Sequence, residues 1–235
     1  MFSFSDFELF NPQFQGDVEW NERRLNLRRR LQKLGTQIQD DFSNMECDLD
    51  RRESLHHPHR TNGKRVRRQR TMLFRSKKDR KKLQTFLGKE LGKDLDSVRN
   101  NAHLQICIDR NEMSWGLRID SSAWYDLNVL IKRAEEENTR TEIVTAAHRA
   151  AHFDLIFNRA SSRLLSSTTS RDWRDIAGTI CPGEHSMEVV RKMSANTVVE
   201  RAGEIDSLIS RDLSNLKDFF FLCNWTLDSP NGATA

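Results

Sequence analysis

"HLQICID" (103–109) and "MSWGLRI" (113–119) are the stretches on which the fold turns. Leu104, Ile106 and Ile108 share one side of the first if the chain is extended; Met113, Trp115, Leu117 and Ile119 share one side of the second. Successive side chains of a strand point to opposite faces, so this alternation marks two half-buried strands. Arg110-Asn111-Glu112 leaves room only for a tight turn, and the pair reads as a β-hairpin with one buried face.

Downstream, Asp120 or Ser121 is placed to cap a helix over "SAWYDLNVLIKRAEEE" (122–137), where Trp124, Leu127, Leu130 and Ile131 recur at helical spacing. Trp115 and Trp124 are assigned to the core. "TRTE" (139–142) has the form of a capping box and predicts a helix through Ala151. "FDLIFN" (153–158) and "SRLLSS" (162–167) read as two short strands, and Pro182-Gly183 as a loop. Residues 186–217 read as helical with a break near Gly203, the "FFFLCNW" stretch (219–225) as core, and 229–235 as a frayed tail.

Upstream, the aromatic-rich start gives way after Asn11-Pro12 to a helix over Asp17 to Leu34. That helix either ends at Gly35 or runs on through Ile38 and Phe42. Asn44 to Gly63 is polar, with turn signals at Pro58 and Asn62-Gly63. Lys64 to Arg75 suits a strand with a cationic polar face, and Asp79 to Leu91 a short basic helix weakened by Gly88 and stopped by Gly92. This order is neither alternating βαβ nor all-helical. It predicts an α+β fold: a small, mainly antiparallel sheet with flanking helices, one domain over 1–228, helical from about 186.

The 235 residues, with thirteen Phe and five Trp, suffice for a core without metal or disulfide staples. Cys47, Cys107, Cys181 and Cys223 form no C-x-x-C pair, which excludes a zinc ribbon and suggests reduced thiols. The start lacks the basic region of a signal peptide, and "FFFLC" is too short to cross a bilayer. A cytoplasmic protein with no membrane partner is expected. No phosphate-binding, dinucleotide-binding or hydrolase motif occurs, so no cofactor is assigned.

Charge is distributed unevenly. Residues 51–82 hold fourteen Arg or Lys against Glu53 and Asp79, a net +12 in a chain of net +4, so the other 203 residues carry −8. Dense Arg and Lys most often meet phosphates, because each neutralised phosphate releases condensed counterions. The expected nucleic-acid contacts are Arg60, Lys64, Arg65, Arg67, Arg68, Arg70, Arg75, Lys77 and Lys78. The bland alternative is that these cations pair with the acids elsewhere in the fold. Phe74 is the one aromatic inside the stretch. Arg23, Arg24, Arg28, Arg29 and Arg30 form a second basic cluster, read as a solvated helix face.

Enzymatic readings rest on thinner signals. His56, His57 and His59 fall within four residues, and His57 or His59 beside Arg60 is a candidate general base for phosphodiester cleavage. No carboxylate pair accompanies them. His148 and His152 share a helical face, but Arg149 stands where a zincin needs Glu, so no metal site is assigned. Asp109, Glu112 and Asp120 are explained by turn and capping roles. The second reading is therefore a metal- or histidine-dependent nuclease or phosphoesterase. A third is an assembly component whose basic face docks an acidic partner or a second copy of the chain.

From "FSDFELF", through a helix ending near "KLG", "HPHRTNGKRV", and an H-x-Q-I strand in "HLQICID" with its paired strand, the order of features resembles the bacterial YktB-like proteins over residues 2–120. Their counterpart of "HPHRTNGKRV" is more aromatic and proline-rich. The resemblance implies an α+β fold and no particular activity.

Overall fold

The computed structural model of the chain describes residues 1–158 and 162–224, so the tail at 229–235 lies outside the described residues. In chain order the elements are α1 (Phe4–Glu8), α2 (Asn21–Ser43), β1 (Leu49–Glu53), β2 (Arg68–Arg75), α3 (Lys77–Leu91), β3 (His103–Asp109) and β4 (Glu112–Ile119). There follow α4 (Trp124–Glu135), α5 (Glu137–Arg149), β5 (Asp154–Phe157), β6 (Arg163–Leu164), α6 (Ser170–Thr179), β7 (Met187–Ser194), α7 (Ala195–Glu200), α8 (Ile205–Asn215) and α9 (Lys217–Leu222). The strands make one antiparallel sheet in the order β1-β2-β3-β4-β7-β5-β6. The fold is α+β, as expected.

The β3–β4 hairpin forms as the alternation requires, with Leu104 opposite Leu117, Ile106 opposite Trp115 and Ile108 opposite Met113. Asp109 closes its turn by accepting the backbone N–H groups of Asn111 at 2.8 Å and Glu112 at 3.2 Å. These apolar side chains continue across the sheet to Leu73, Val189 and Leu155 and pack under helices in one core. Trp115 is fully buried within it. Its indole donates to Asp212 of α8 at 2.9 Å, and Arg191 holds the same carboxylate at 2.8 Å. Trp124, also expected in the core, is half-buried.

The opposite sheet face carries Arg52, Arg70, Met72, Gln105, Gly116 and Val190 at paired positions. Gly116 is indispensable there. Its φ of +150° disfavours a side chain, and a Cβ would lie 1.9 Å from the Val189 carbonyl oxygen. The two central strands therefore approach more closely than any other residue would permit.

Several elements differ from expectation. Residues 187–194 form β7, between β4 and β5, rather than the start of a helix. Met187, Val189 and Met193 do alternate, but Glu188, Arg191 and Lys192 also fit a helical face, and pairing on both edges decides the matter. β1 appears inside the expected polar stretch; Leu49 is its one apolar residue, so no alternation announces it. α1 forms within the aromatic-rich start and α6 after β6, both where no helix was expected. α2 continues past Gly35, whose missing side chain lets the helix approach β1 and β2: a Cβ would meet Arg51 and Thr71 atoms at 2.7 Å. α5 starts at Glu137, so Thr139 lies inside it and bonds the Arg133 carbonyl instead of capping. A capping box forms instead at Thr169 and Asp172, opening α6. After β7 the chain is helical, with the interruption at Gly203 where expected. No described helix is long and apolar enough to cross a membrane.

Candidate functional site

The basic segment divides along β2. Odd-numbered residues of this strand share the helix-covered face with Leu73, and Arg75 is therefore drawn inside. It is buried, donating to Asn101 at 2.8 Å, to Asp126 at 2.5 Å and to Asn224, while the other Asp126 oxygen accepts the Ala102 amide at 2.7 Å. The expectation that Arg75 contacts phosphate is thus corrected, because the guanidinium is a component of the core. Arg80 behaves similarly. It bonds Asp50 at 2.7 Å and Asp96 at 3.1 Å and lies over the Phe74 ring at 4.8 Å. Phe74 is itself buried and offers no face to a base.

Lys77 and Lys78 are exposed on the first turn of α3, past the C-terminal end of β2. The cations before β2 lie at its other end, about 25 Å away for an extended strand of this length. The nine expected contacts therefore do not make one continuous surface.

At the start of β2 the charges are gathered and left unneutralised. Arg52, Arg60, Arg65, Arg67, Arg68 and Arg70 line a concavity of about 640 Å³ that also touches Met72, and Lys64 is exposed in the same loop. Glu53 is the one carboxylate in its lining, and Arg51 holds it at 2.6 Å. None of the six arginines forms an ion pair with a described carboxylate, whereas Arg75 and Arg80 both do. Burial lowers the pKa of Arg70, with Arg68 and Arg118 adding repulsion; the nearby Cys107 and Asp120 oppose this without overcoming it. Arg70 Nε is enclosed and has no hydrogen-bond partner. Burying an uncompensated cation is unfavourable, so an anion entering this space gains from every arginine and displaces no acid.

Local hydrogen bonds give the loop its shape. A 3-10 turn at Pro58–Arg60 is followed by a second at Asn62–Lys64, where Gly63 takes a φ of +78°. Thr61 Oγ1 lies 2.7 Å from the Pro58 carbonyl and 3.1 Å from that of Arg65. The loop is fastened at Val66, whose side chain is buried and whose amide donates to the Gln15 carbonyl at 2.8 Å. Ser54 Oγ accepts the Arg70 amide at 2.8 Å on the β1 side.

That fastening brings in residues that sequence reasoning passed over. Phe14 and Trp20 flank the Gln15 anchor and are half-buried. Their rings stack at 3.8 Å with 21° between planes, and the Arg23 guanidinium lies over Trp20 at 4.7 Å. The available signal was a pair of aromatics in a polar stretch, more than forty residues before the Lys64–Val66 segment that the Gln15 and Gly16 backbone meets.

The histidines are placed by a 3-10 turn and by α2 rather than by the concavity. His57 Nδ1 accepts the His59 amide at 3.2 Å, as a cap on the 3-10 turn, and the two rings are 5.3 Å apart. Neither lines the concavity. His56 turns toward α2; its pKa is lowered by burial first, then by Arg28, His57, Arg60 and Arg24, which keeps it neutral near pH 7. Among the described residues no three metal-ligating groups converge. His148 lies in the last turn of α5 and His152 beyond its end, so they do not share a helical face. Glu112 pairs with Lys192 at 3.4 Å and Asp120 with Arg118 at 2.7 Å, in structural roles. Compared with protein-family models and with curated proteins, the chain matches none.

Proposed function

We propose that the chain is a nucleic-acid-binding protein that grips backbone phosphate in the arginine-lined concavity between β1 and β2. One observation carries this reading: six arginines surround a space whose one carboxylate is already held by Arg51. Had the basic segment served only to balance the acids elsewhere, its arginines would resemble Arg75 and Arg80, each with a carboxylate partner. Arg60, Arg65, Arg67, Arg68 and Arg70 keep the role expected of them, with Lys64 beside them and Arg52 added. Arginine suits it because a planar fork accepts two phosphate oxygens at once.

Fluorescence anisotropy with labelled oligonucleotides tests the proposal. Binding at low salt should weaken roughly a thousandfold as salt rises from 50 to 200 mM if six phosphates are engaged. Reversing two exposed charges, Arg65→Glu with Arg67→Glu, should abolish most of it. Absence of binding at low salt, or equal binding by that variant, would sink the proposal.

A further inference from the structure

We infer that the ligand is single-stranded nucleic acid, held by its phosphates in the arginine concavity and by a base stacked on the Phe14–Trp20–Arg23 layer. This inference rests on the nucleic-acid reading above and adds to it the form of the ligand.

Shape supplies the first argument. A volume of about 640 Å³ is on the scale of a small-molecule pocket. Arg52 and Arg70 reach it from strand positions, and Arg60 and Arg65 from the loop. A duplex presents its phosphates on a rigid cylinder, whereas a concavity lined from both strand and loop suits a backbone that can bend into it. A flexible single strand can lower consecutive phosphates into it while turning its bases outward.

The second argument is the aromatic layer. A single strand exposes base faces that a duplex keeps stacked inside, and proteins that hold single strands combine a cationic groove with aromatic platforms. Phe74 is unavailable, but Phe14 and Trp20 are half-buried rather than sealed; they stack on one another with Arg23 over Trp20, so a base would meet the outer surfaces of this layer. Their position is fixed relative to the cations. The amide of Val66, next to Arg65 and Arg67, bonds the Gln15 carbonyl, and a Cβ added to Gly16 would lie 3.5 Å from the Lys64 carbonyl oxygen. Arg23 over Trp20 offers a further planar surface that stacks on bases as readily as on indole. Stacking accepts every base, so the expected recognition is of strandedness rather than sequence.

The test compares a labelled oligothymidine, a labelled oligouridine, a duplex of equal length and inorganic polyphosphate, at one low salt concentration. Both single strands should bind at least tenfold more tightly than the duplex, and their ratio separates DNA from RNA. Trp20→Ala should weaken single-strand binding roughly 5- to 100-fold, the range for losing one stacked base. It should leave polyphosphate binding and the salt slope unchanged. Trp20→Phe, which preserves packing, should restore most of the affinity. In the same variant the quenching of tryptophan emission by oligothymidine should fall, a reading that does not require Trp20→Ala to fold. Equal affinity for duplex and single strand would overturn the inference, as would quenching and affinity indifferent to Trp20. If the arginine variant abolishes binding while the Trp20 variants change nothing, the phosphate site stands and the stacking inference falls.

Discussion

Arg75 and Asp126 meet at 2.5 Å in the protein interior, 51 positions apart in the chain and both almost sealed from water. The pair joins β2 to α4, and Asn101 and Asn224 also accept hydrogen bonds from Arg75. Removing one charge leaves the other buried without its ion-pair partner. Arg75→Met should therefore destabilise the fold by roughly 3–5 kcal/mol in a urea titration, and Arg75→Met with Asp126→Leu by clearly less. Additive losses would show that the two are not coupled.

Lys77 and Lys78 should be bystanders. About 25 Å of strand separates them from the concavity, well beyond the ~10 Å screening length at 0.1 M salt. Lys77→Glu with Lys78→Glu should change oligonucleotide affinity by less than about threefold and leave the salt slope intact. A loss matching that of the Arg65 and Arg67 variant would place phosphate contacts at both ends of β2.

Gly116→Ala forces a methyl group onto the Val189 carbonyl while holding a backbone angle that alanine resists. The expected cost is roughly 3 kcal/mol or more, read as a lowered denaturation midpoint. A neutral outcome would mean that β4 and β7 separate easily there.

Asp172 gives a pH dependence of known sign. The hydroxyl and amide of Thr169, with Arg163 at 2.6 Å, hold its carboxyl below the usual range, at about 2. A depressed carboxylate stabilises the fold above its unfolded value near 4, and that contribution disappears as pH falls through about 2. Asp172→Asn should cost about 1 kcal/mol at pH 7, a capping-scale effect for an exposed site. The difference from wild type should shrink between pH 4 and 2; a constant difference would remove the ionised carboxylate from the explanation.

Thiol chemistry should distinguish one cysteine. Cys181 is exposed, while Cys47, Cys107 and Cys223 are buried, with burial pushing the Cys47 thiol up to about 12. A thiol reagent should modify one group quickly in the native protein and four in denaturant. More than one fast group would indicate opening of the core.

The sequence announces only what depends on near neighbours. The β3–β4 hairpin was legible because its alternation and its turn lie within seventeen residues. β7 was not, because its pattern suits two periods and its partners, Glu112 to Ile119 and Asp154 to Phe157, are distant. The cationic segment showed itself by composition, but that Arg75 is neutralised depends on Asp126, far along the chain. Phe14 and Trp20 escaped notice for the same reason, since it is the meeting of Gln15 and Gly16 with Lys64 and Val66 that brings their segment to the cationic loop.

That bond has a kinetic consequence. Residues 54–67 contain no strand or α-helix, yet the segment is pinned at Ser54 and Val66 and braced by Thr61. A loop so tethered surrenders its freedom during folding, so a ligand meets walls already standing and need not wait for them to gather. Encounter should then proceed at the speed of charge-guided diffusion, with residence time set by how firmly the stacked base stays seated.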